Sequence, residues 1–104
     1  MLEGIKRIFG VRSRSRTAQQ QRTRLLVKYN AGFKNNLYIR GRGAGLSWDR
    51  GVLLQNIAAD EWVWEPTMPF TECEFKVLLN DEKYEVGENH RITGGKLYQY
   101  TPHF

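Results

Sequence analysis

Short apolar runs separated by turn residues occupy most of the chain beyond residue 24. Each run is shorter than an ordinary helix, and several alternate apolar with polar positions, so they are typical of β-strands. Pro66, Pro69 and the pair Gly94-Gly95 fall between runs, where they end strands and favour turns. The strands predicted in this way cover residues 25–29, 37–40, 52–57, 61–65, 73–79, 83–86 and 96–100.

The run 73–79 has the clearest alternation in the chain. A period of two residues places Glu74 and Lys76 on one side of the strand, which we expect to face solvent. The side chains that we expect to face the core are Cys73, Phe75, Val77 and Leu79.

Two tryptophans follow the same alternation in the run 61–65. Trp62 and Trp64 lie on one face of this strand and Val63 on the other, so we expect at least one of the two tryptophans to be structural. Short strands at this spacing, without a sustained helical period outside the N-terminal region, predict an all-β fold. We therefore expect an immunoglobulin-like antiparallel β-sandwich, formed by the single domain that 104 residues suggest.

The basic charge of the chain is concentrated at its N-terminus. Residues 1–24 carry seven Lys or Arg against Glu3 alone, a local charge of +6, whereas residues 25–104 carry nine against ten acidic groups, a charge of −1. We expect a flexible basic arm over residues 1–23, disordered or loosely helical, and a folded domain over residues 24–104.

Only this arm is a candidate for binding nucleic acid or an anionic membrane surface. A solvated tail without a partner is the alternative. The apolar residues that fall at helical spacing in the arm, and could face a membrane surface, are Leu2, Ile5, Ile8 and Phe9.

Other functional classes find little support in the sequence. The single cysteine, Cys73, excludes an internal disulfide, and His90 and His103 lie in no metal-binding or catalytic pattern. The glycine-rich segment before Leu46 is not a phosphate loop, because no third glycine follows at that position and no helix is predicted after it. We expect no enzyme activity and no cofactor. With no secretory signal and no apolar run of membrane-spanning length, we expect a cytoplasmic location.

Two aromatic residues in turn-like segments indicate a binding surface. Trp48 follows the glycine-rich loop, and Tyr84 lies 36 residues later, after a predicted turn. If the sheet brings their rings together, they form an aromatic platform for the apolar face of a sugar, with Lys76 and Asn89 bonding its hydroxyls. Each residue also has a structural alternative: Trp48 as a lid over the core, Tyr84 as an ordinary strand residue, Lys76 as a solvated lysine and Asn89 as the cap of a turn.

Five short segments follow one another between residues 43 and 91: Gly43-Ala-Gly-Leu-Ser-Trp-Asp, Val52-Leu-Leu, Glu61-Trp-Val-Trp, Glu74-Phe-Lys-Val and Tyr84-Glu-Val-Gly-Glu-Asn-His-Arg. Their order and spacing resemble the starch-binding carbohydrate-binding modules of families 20 and 48. In those families a glycine-rich loop ends in Trp-Asp, and a Trp-Glu segment precedes Asn-Arg. The resemblance covers residues 24–104.

The resemblance implies that Trp48 and Tyr84 stack on glucose rings and that Lys76 and Asn89 bond the hydroxyls. The implied function is non-catalytic binding of an α-glucan (starch, glycogen or a maltooligosaccharide), either for storage or to target a partner enzyme of glucan metabolism. The chain departs from the families at two points: Tyr84 stands where a tryptophan is usual, and no proline precedes Asn89. An aromatic patch that binds a protein partner is the alternative.

Overall fold

The computed structural model describes residues 22–104, which form two β-sheets packed as a sandwich. This confirms the predicted all-β fold class. Residues 1–21, most of the predicted basic arm, lie outside the described residues, so the division into arm and domain stays a prediction. The strands are β1 (Arg24–Lys28), β2 (Leu37–Arg42), β3 (Val52–Leu53), β4 (Gln55–Ala58), β5 (Glu61–Trp64), β6 (Glu72–Leu79), β7 (Lys83–Tyr84), β8 (His90–Thr93) and β9 (Leu97–Tyr100).

The two sheets divide the strands almost equally. The first sheet has the order β9-β1-β5-β4, and the second has the order β3-β2-β6-β7, with β8 also paired to β6. Neighbouring strands are antiparallel, as predicted, except that β9 runs parallel to β1, with Tyr98 opposite Leu25 and Tyr100 opposite Val27. This pair joins the first and last strands of the described chain.

The hydrophobic core lies between the two sheets. Trp62 and Trp64 both belong to it, with 4% and 6% of their surface exposed, which confirms the expectation that at least one of them is structural. The indole N–H of Trp62 donates to the carbonyl of Tyr29 at 3.1 Å, so this buried polar group is satisfied. The buried core residues are Leu25, Val27, Leu37, Ile39, Leu54, Trp62, Trp64, Cys73, Phe75, Val77 and Ile92.

Strand β6 follows the predicted alternation with one exception. Lys76 lies on the outer face of the second sheet, as predicted, and is half-buried. Leu78 shares this outer face, yet none of its surface is exposed. It lies directly opposite Tyr38 of β2 on one side and Tyr84 of β7 on the other, so two large side chains flank it on the same face. The inward-facing residues are Cys73, Phe75 and Val77, all buried, and Leu79, half-buried.

A tight turn at Asn80-Asp81 links β6 to β7, where the sequence predicted it. The φ angles of Asn80 and Asp81 are 56° and 57°, and the N–H of Glu82 donates to the carbonyl of Leu79 at 3.0 Å. Two successive residues in the left-handed region are typical of a type I′ hairpin turn. Asn and Asp tolerate this conformation better than most residues. The turn places the Asp81 carboxylate beside the outer face of β2, where it contacts Arg40.

Strands β7 and β8 share one edge of β6, an arrangement that the sequence did not predict. The expected strand 83–86 ends at Tyr84, and β8 begins only at His90. Between them, Glu85 takes the place of a strand partner: its N–H donates to the Val77 carbonyl at 3.0 Å, and its carboxylate accepts the Val77 N–H at 2.7 Å. The segment that carries Asn89 therefore stays attached to β6 although it is not itself a strand.

Candidate functional site

Trp48 lies in the loop between β2 and β3. The Ser47 carbonyl accepts the N–H of Gly41 at 3.1 Å, and the Ser47 hydroxyl accepts the N–H of Asp49 at 3.0 Å. These bonds fix the main chain on either side of Trp48, whose side chain is half-buried. Trp48 is absent from the buried core between the sheets.

Arg40 contacts both residues of the predicted aromatic platform, Trp48 and Tyr84. Its Nη1 is 3.1 Å from the main-chain carbonyl of Trp48 and 3.4 Å from the hydroxyl of Tyr84. Its guanidinium carbon is 5.9 Å from the centroid of the Tyr84 ring, within the range of a cation–π contact. Among the aromatic pairs of residues 22–104 none joins Trp48 to Tyr84, so the two rings are not stacked on each other. Tyr84 is 42% exposed.

Asp81 holds Arg40 in this position. Nε of Arg40 donates to Oδ1 of Asp81 at 2.9 Å, and Nη2 donates to the Asp81 main-chain carbonyl at 3.0 Å. The hydrogen bond from Arg40 is the main reason why the pKa of Asp81 is lowered from its ordinary value. Oδ2 of Asp81 accepts the N–H of Gly51 at 3.3 Å, and a Cβ at this glycine would collide with the carboxylate. The ionised Asp81 thus joins the end of the Trp48 loop to the turn before Tyr84.

Lys76 lies next to Arg40 and to the residue that follows Tyr84. It is directly opposite Arg40 in the pairing of β6 with β2. Its Nζ donates to the main-chain carbonyl of Glu85 at 2.9 Å, and Glu85 immediately follows Tyr84. This contact and its half-buried state distinguish Lys76 from a lysine that extends freely into solvent.

Asn89 is attached to a neighbouring part of the same face. Its Nδ2 donates to Oε2 of Glu74 at 2.8 Å, and Glu74 is also bonded by Arg42 at 2.8 Å. The bond from Arg42, followed by that from Asn89, lowers the pKa of Glu74. Glu74 is two residues from Lys76 along β6, a spacing of about 7 Å in a strand. The structure thus groups Trp48, Tyr84 and Lys76 around Arg40, whereas Asn89 lies further along the sheet.

Glu85 is a buried carboxylate close to these residues, but it is enclosed. It is 3% exposed and accepts hydrogen bonds from the Val77 N–H at 2.7 Å and the Tyr100 hydroxyl at 2.8 Å. Nε2 of His90 lies 3.0 Å from its other oxygen. Burial, together with the Glu85 charge, raises the pKa of Tyr100 well above its ordinary value, so its hydroxyl remains a donor. Glu85 therefore connects the two sheets and stabilises the segment after Tyr84.

The sequence interpretation missed Arg40 and Asp81 as parts of the candidate site. The alternation of β2 could have indicated that Arg40 faces outward, because Leu37 and Ile39 are buried and Arg40 follows on the opposite face. The contact with Asp81 had no such signal, because it depends on how β2 pairs with β6 and on the conformation of the turn that follows.

Two features are absent from the described part of the chain. Residues 22–104 contain no group of three or more His, Cys, Asp or Glu side chains able to hold a metal ion. Within the same residues, no helix has the length and apolar character needed to cross a membrane.

Comparison with known proteins shows similarity in fold but not in sequence. Neither protein-family models nor curated proteins match the sequence. Among solved structures, the chain is similar to the Glycoside Hydrolase Family 15 Glucoamylase from Hypocrea jecorina, with a TM-score of 0.64 and 14% sequence identity. The similarity covers 81% of this chain and 17% of the glucoamylase chain, so the protein is similar in fold to a small part of that enzyme.

Proposed function

We propose that residues 24–104 form a non-catalytic module that binds an α-glucan (starch, glycogen or a maltooligosaccharide) through Trp48 and Tyr84. The observation that supports this proposal most is the pair of contacts from Arg40, which hold two unstacked aromatic residues beside one face of a sheet. An α-1,4-linked glucan is curved, so two aromatic rings that are not stacked on each other can contact successive glucose units. Rigid aromatic side chains supply contact area at a small cost in conformational entropy.

The sequence resemblance supports this function, and the fold similarity is compatible with it. The resemblance to starch-binding modules rests on short segments in order, including those that contain Trp48, Lys76, Tyr84 and Asn89. The fold similarity is to a fraction of a glucoamylase, so a domain of this fold occurs in an enzyme of that name. On this basis the module recruits a partner enzyme of glucan metabolism to its substrate or holds the protein on a storage polysaccharide.

The charges around the platform suit a neutral ligand. Asp81 compensates the charge of Arg40, and Lys76 has donor capacity beyond its bond to the Glu85 carbonyl. The Glu85 carboxylate is enclosed and already accepts several hydrogen bonds, which supports a binding role over a catalytic one. A shallow site of this kind binds modestly, because association and the ordering of side chains oppose the contact energy.

Retention of the purified protein on amylose resin, with cellulose resin in parallel, tests the proposal. The wild-type protein should be retained on amylose and released by maltoheptaose, and Tyr84→Ala should elute much earlier. Leu97→Ala is the matched control, since Leu97 is an exposed apolar residue of β9 in the other sheet. Equal retention on cellulose, or retention that Tyr84→Ala does not change, would contradict α-glucan recognition by the platform. No retention of the wild-type protein on amylose would favour a protein-binding patch.

A further inference from the structure

The guanidinium of Arg40 uses several of its N–H groups in different directions. Nε and Nη2 donate to two oxygens of Asp81, and Nη1 lies within hydrogen-bonding distance of the Trp48 carbonyl and the Tyr84 hydroxyl. A planar fork with five donors can make this set of contacts, whereas the single ammonium group of lysine cannot.

The elements that carry the two rings are a two-residue strand and a loop, and apart from Arg40 they are held mainly by main-chain hydrogen bonds. Tyr84 ends β7, a strand of two residues, and Trp48 lies in a loop whose nearest main-chain bonds involve Ser47. Arg40, by contrast, lies in the six-residue strand β2, which pairs with β6 along its whole length. Its side chain is only 19% exposed, so it is packed into the site and not a solvated charge at its edge.

We propose that Arg40 is the positioning residue of the aromatic platform: it fixes Trp48 and Tyr84 relative to each other before a ligand arrives, and lysine cannot replace it. This inference rests on the proposed α-glucan function for its effect on affinity. Its effect on Trp48 is independent of any ligand. Because a flexible ring must be immobilised when a sugar binds, loss of the Arg40 contacts weakens binding even though Arg40 need not touch the sugar.

The first test measures the affinity of the full-length protein for β-cyclodextrin by titration calorimetry. Arg40→Met and Arg40→Lys should each weaken binding about tenfold or more. The control variant is Arg24→Met, which removes an arginine paired with Glu65 at 3.5 Å in the other sheet and should leave the affinity within twofold of wild type. Binding by Arg40→Lys within twofold of wild type would overturn the proposal.

The second test needs no ligand, so it separates the positioning role of Arg40 from the proposed α-glucan function. The protein is labelled with 5-fluorotryptophan, and the fluorine NMR signal of Trp48 is assigned with Trp48→Phe. In both Arg40 variants the Trp48 signal should shift or broaden, while the signals of the buried Trp62 and Trp64 keep their positions and show that the core is folded. Arg24→Met should leave all the signals in place.

An unchanged Trp48 signal in the Arg40 variants would overturn the positioning role. If wild type fails to bind β-cyclodextrin but Trp48 responds to loss of Arg40, the proposed α-glucan function is wrong for this ligand, and the positioning role stands. Movement of the Trp62 and Trp64 signals as well in Arg40→Lys would mean that Arg40 supports the fold as a whole, which also contradicts the proposal.

Discussion

Arg40 and Lys76 lie directly opposite each other on neighbouring strands, an arrangement of like charges that ordinarily destabilises a sheet. Each cation has its own partner: Asp81 pairs with Arg40 at 2.9 Å, and the Glu85 carbonyl accepts a hydrogen bond from Lys76 at 2.9 Å. These separate partners explain how two cations are tolerated side by side. They also give the two groups fixed directions next to the aromatic platform.

Replacement of Lys76 or Asn89 tests their proposed role with sugar hydroxyls. Lys76→Ala and Asn89→Ala should each weaken binding of maltoheptaose by about 1–2 kcal/mol, the range for hydrogen bonds that lose a partner. Calorimetry should give the same losses of binding free energy at low and at high salt, because a neutral ligand releases no counterions. Unchanged affinity in both variants, with Trp48 still required, would reduce the site to its aromatic residues.

The Arg40–Asp81 pair should make the stability of the domain depend on pH. Because Arg40 lowers the pKa of Asp81, the pair stabilises the folded state fully above about pH 4, the ordinary range of an aspartate, and this contribution is lost as the pH falls through the lower folded-state pKa. Urea unfolding should show Asp81→Asn less stable than wild type at pH 6, with a smaller difference at pH 2.5.

Glu82→Gln, at an exposed carboxylate of the same turn, is the control for this pH dependence. An Asp81→Asn difference that is equally large at both pH values would assign the stabilisation to packing or neutral hydrogen bonds instead of to the ionised pair.

At the scale of the strands, alternation predicted which elements form but not how they pair. The inward side of β6 and the buried tryptophans of β5 followed from a period of two residues. The parallel pairing of β9 with β1 and the burial of Leu78 did not, because both depend on neighbours distant in the sequence. The same limit applies to the site: the sequence identified Trp48 and Tyr84 as candidate platform residues, but Arg40 joins them only after β2, β6 and the turn at Asp81 are assembled.

Loss of the Glu85 side chain should destabilise the second sheet. Glu85→Ala would leave the buried Val77 N–H and the Tyr100 hydroxyl without their acceptor, so we expect the free energy of unfolding to fall by about 2–4 kcal/mol. Chemical denaturation measures this change directly. Glu88→Ala, at an exposed position of the same loop, should change stability by less than about 0.5 kcal/mol. Similar small effects of both substitutions would show that Glu85 is not needed to hold β6 beside the segment after Tyr84.

At the scale of the whole molecule, the charge is divided between an N-terminal segment and a nearly neutral remainder. Residues 1–24 carry +6 and residues 25–104 carry −1. The first tertiary contacts of the described chain occur at Thr23, which is buried and accepts the N–H of Gly95 at 2.7 Å, and at Arg24, whose N–H donates to Lys96 at 3.1 Å. These contacts indicate Thr23 as a suitable start for a shortened protein.

A protein that begins at Thr23 should keep its melting temperature and any α-glucan affinity. Any binding to nucleic acid or anionic vesicles should disappear with the preceding residues, and in the full chain it should weaken steeply with salt, since exposed cations would drive it. Thermal unfolding and a salt series of binding measurements test both statements. A large fall in melting temperature would show that the removed residues pack on the sandwich, contrary to the predicted division into arm and domain.

The most direct test of the central claim is a tryptophan fluorescence titration with β-cyclodextrin, performed on wild type, Trp48→Ala and Leu97→Ala. We predict a saturable spectral shift for wild type and for Leu97→Ala, and no shift for Trp48→Ala, whose far-ultraviolet circular dichroism should match that of wild type. The absence of a response in wild type, or a full response in Trp48→Ala, would contradict sugar binding by the platform. Unfolding of Trp48→Ala would instead identify Trp48 as part of the structural core.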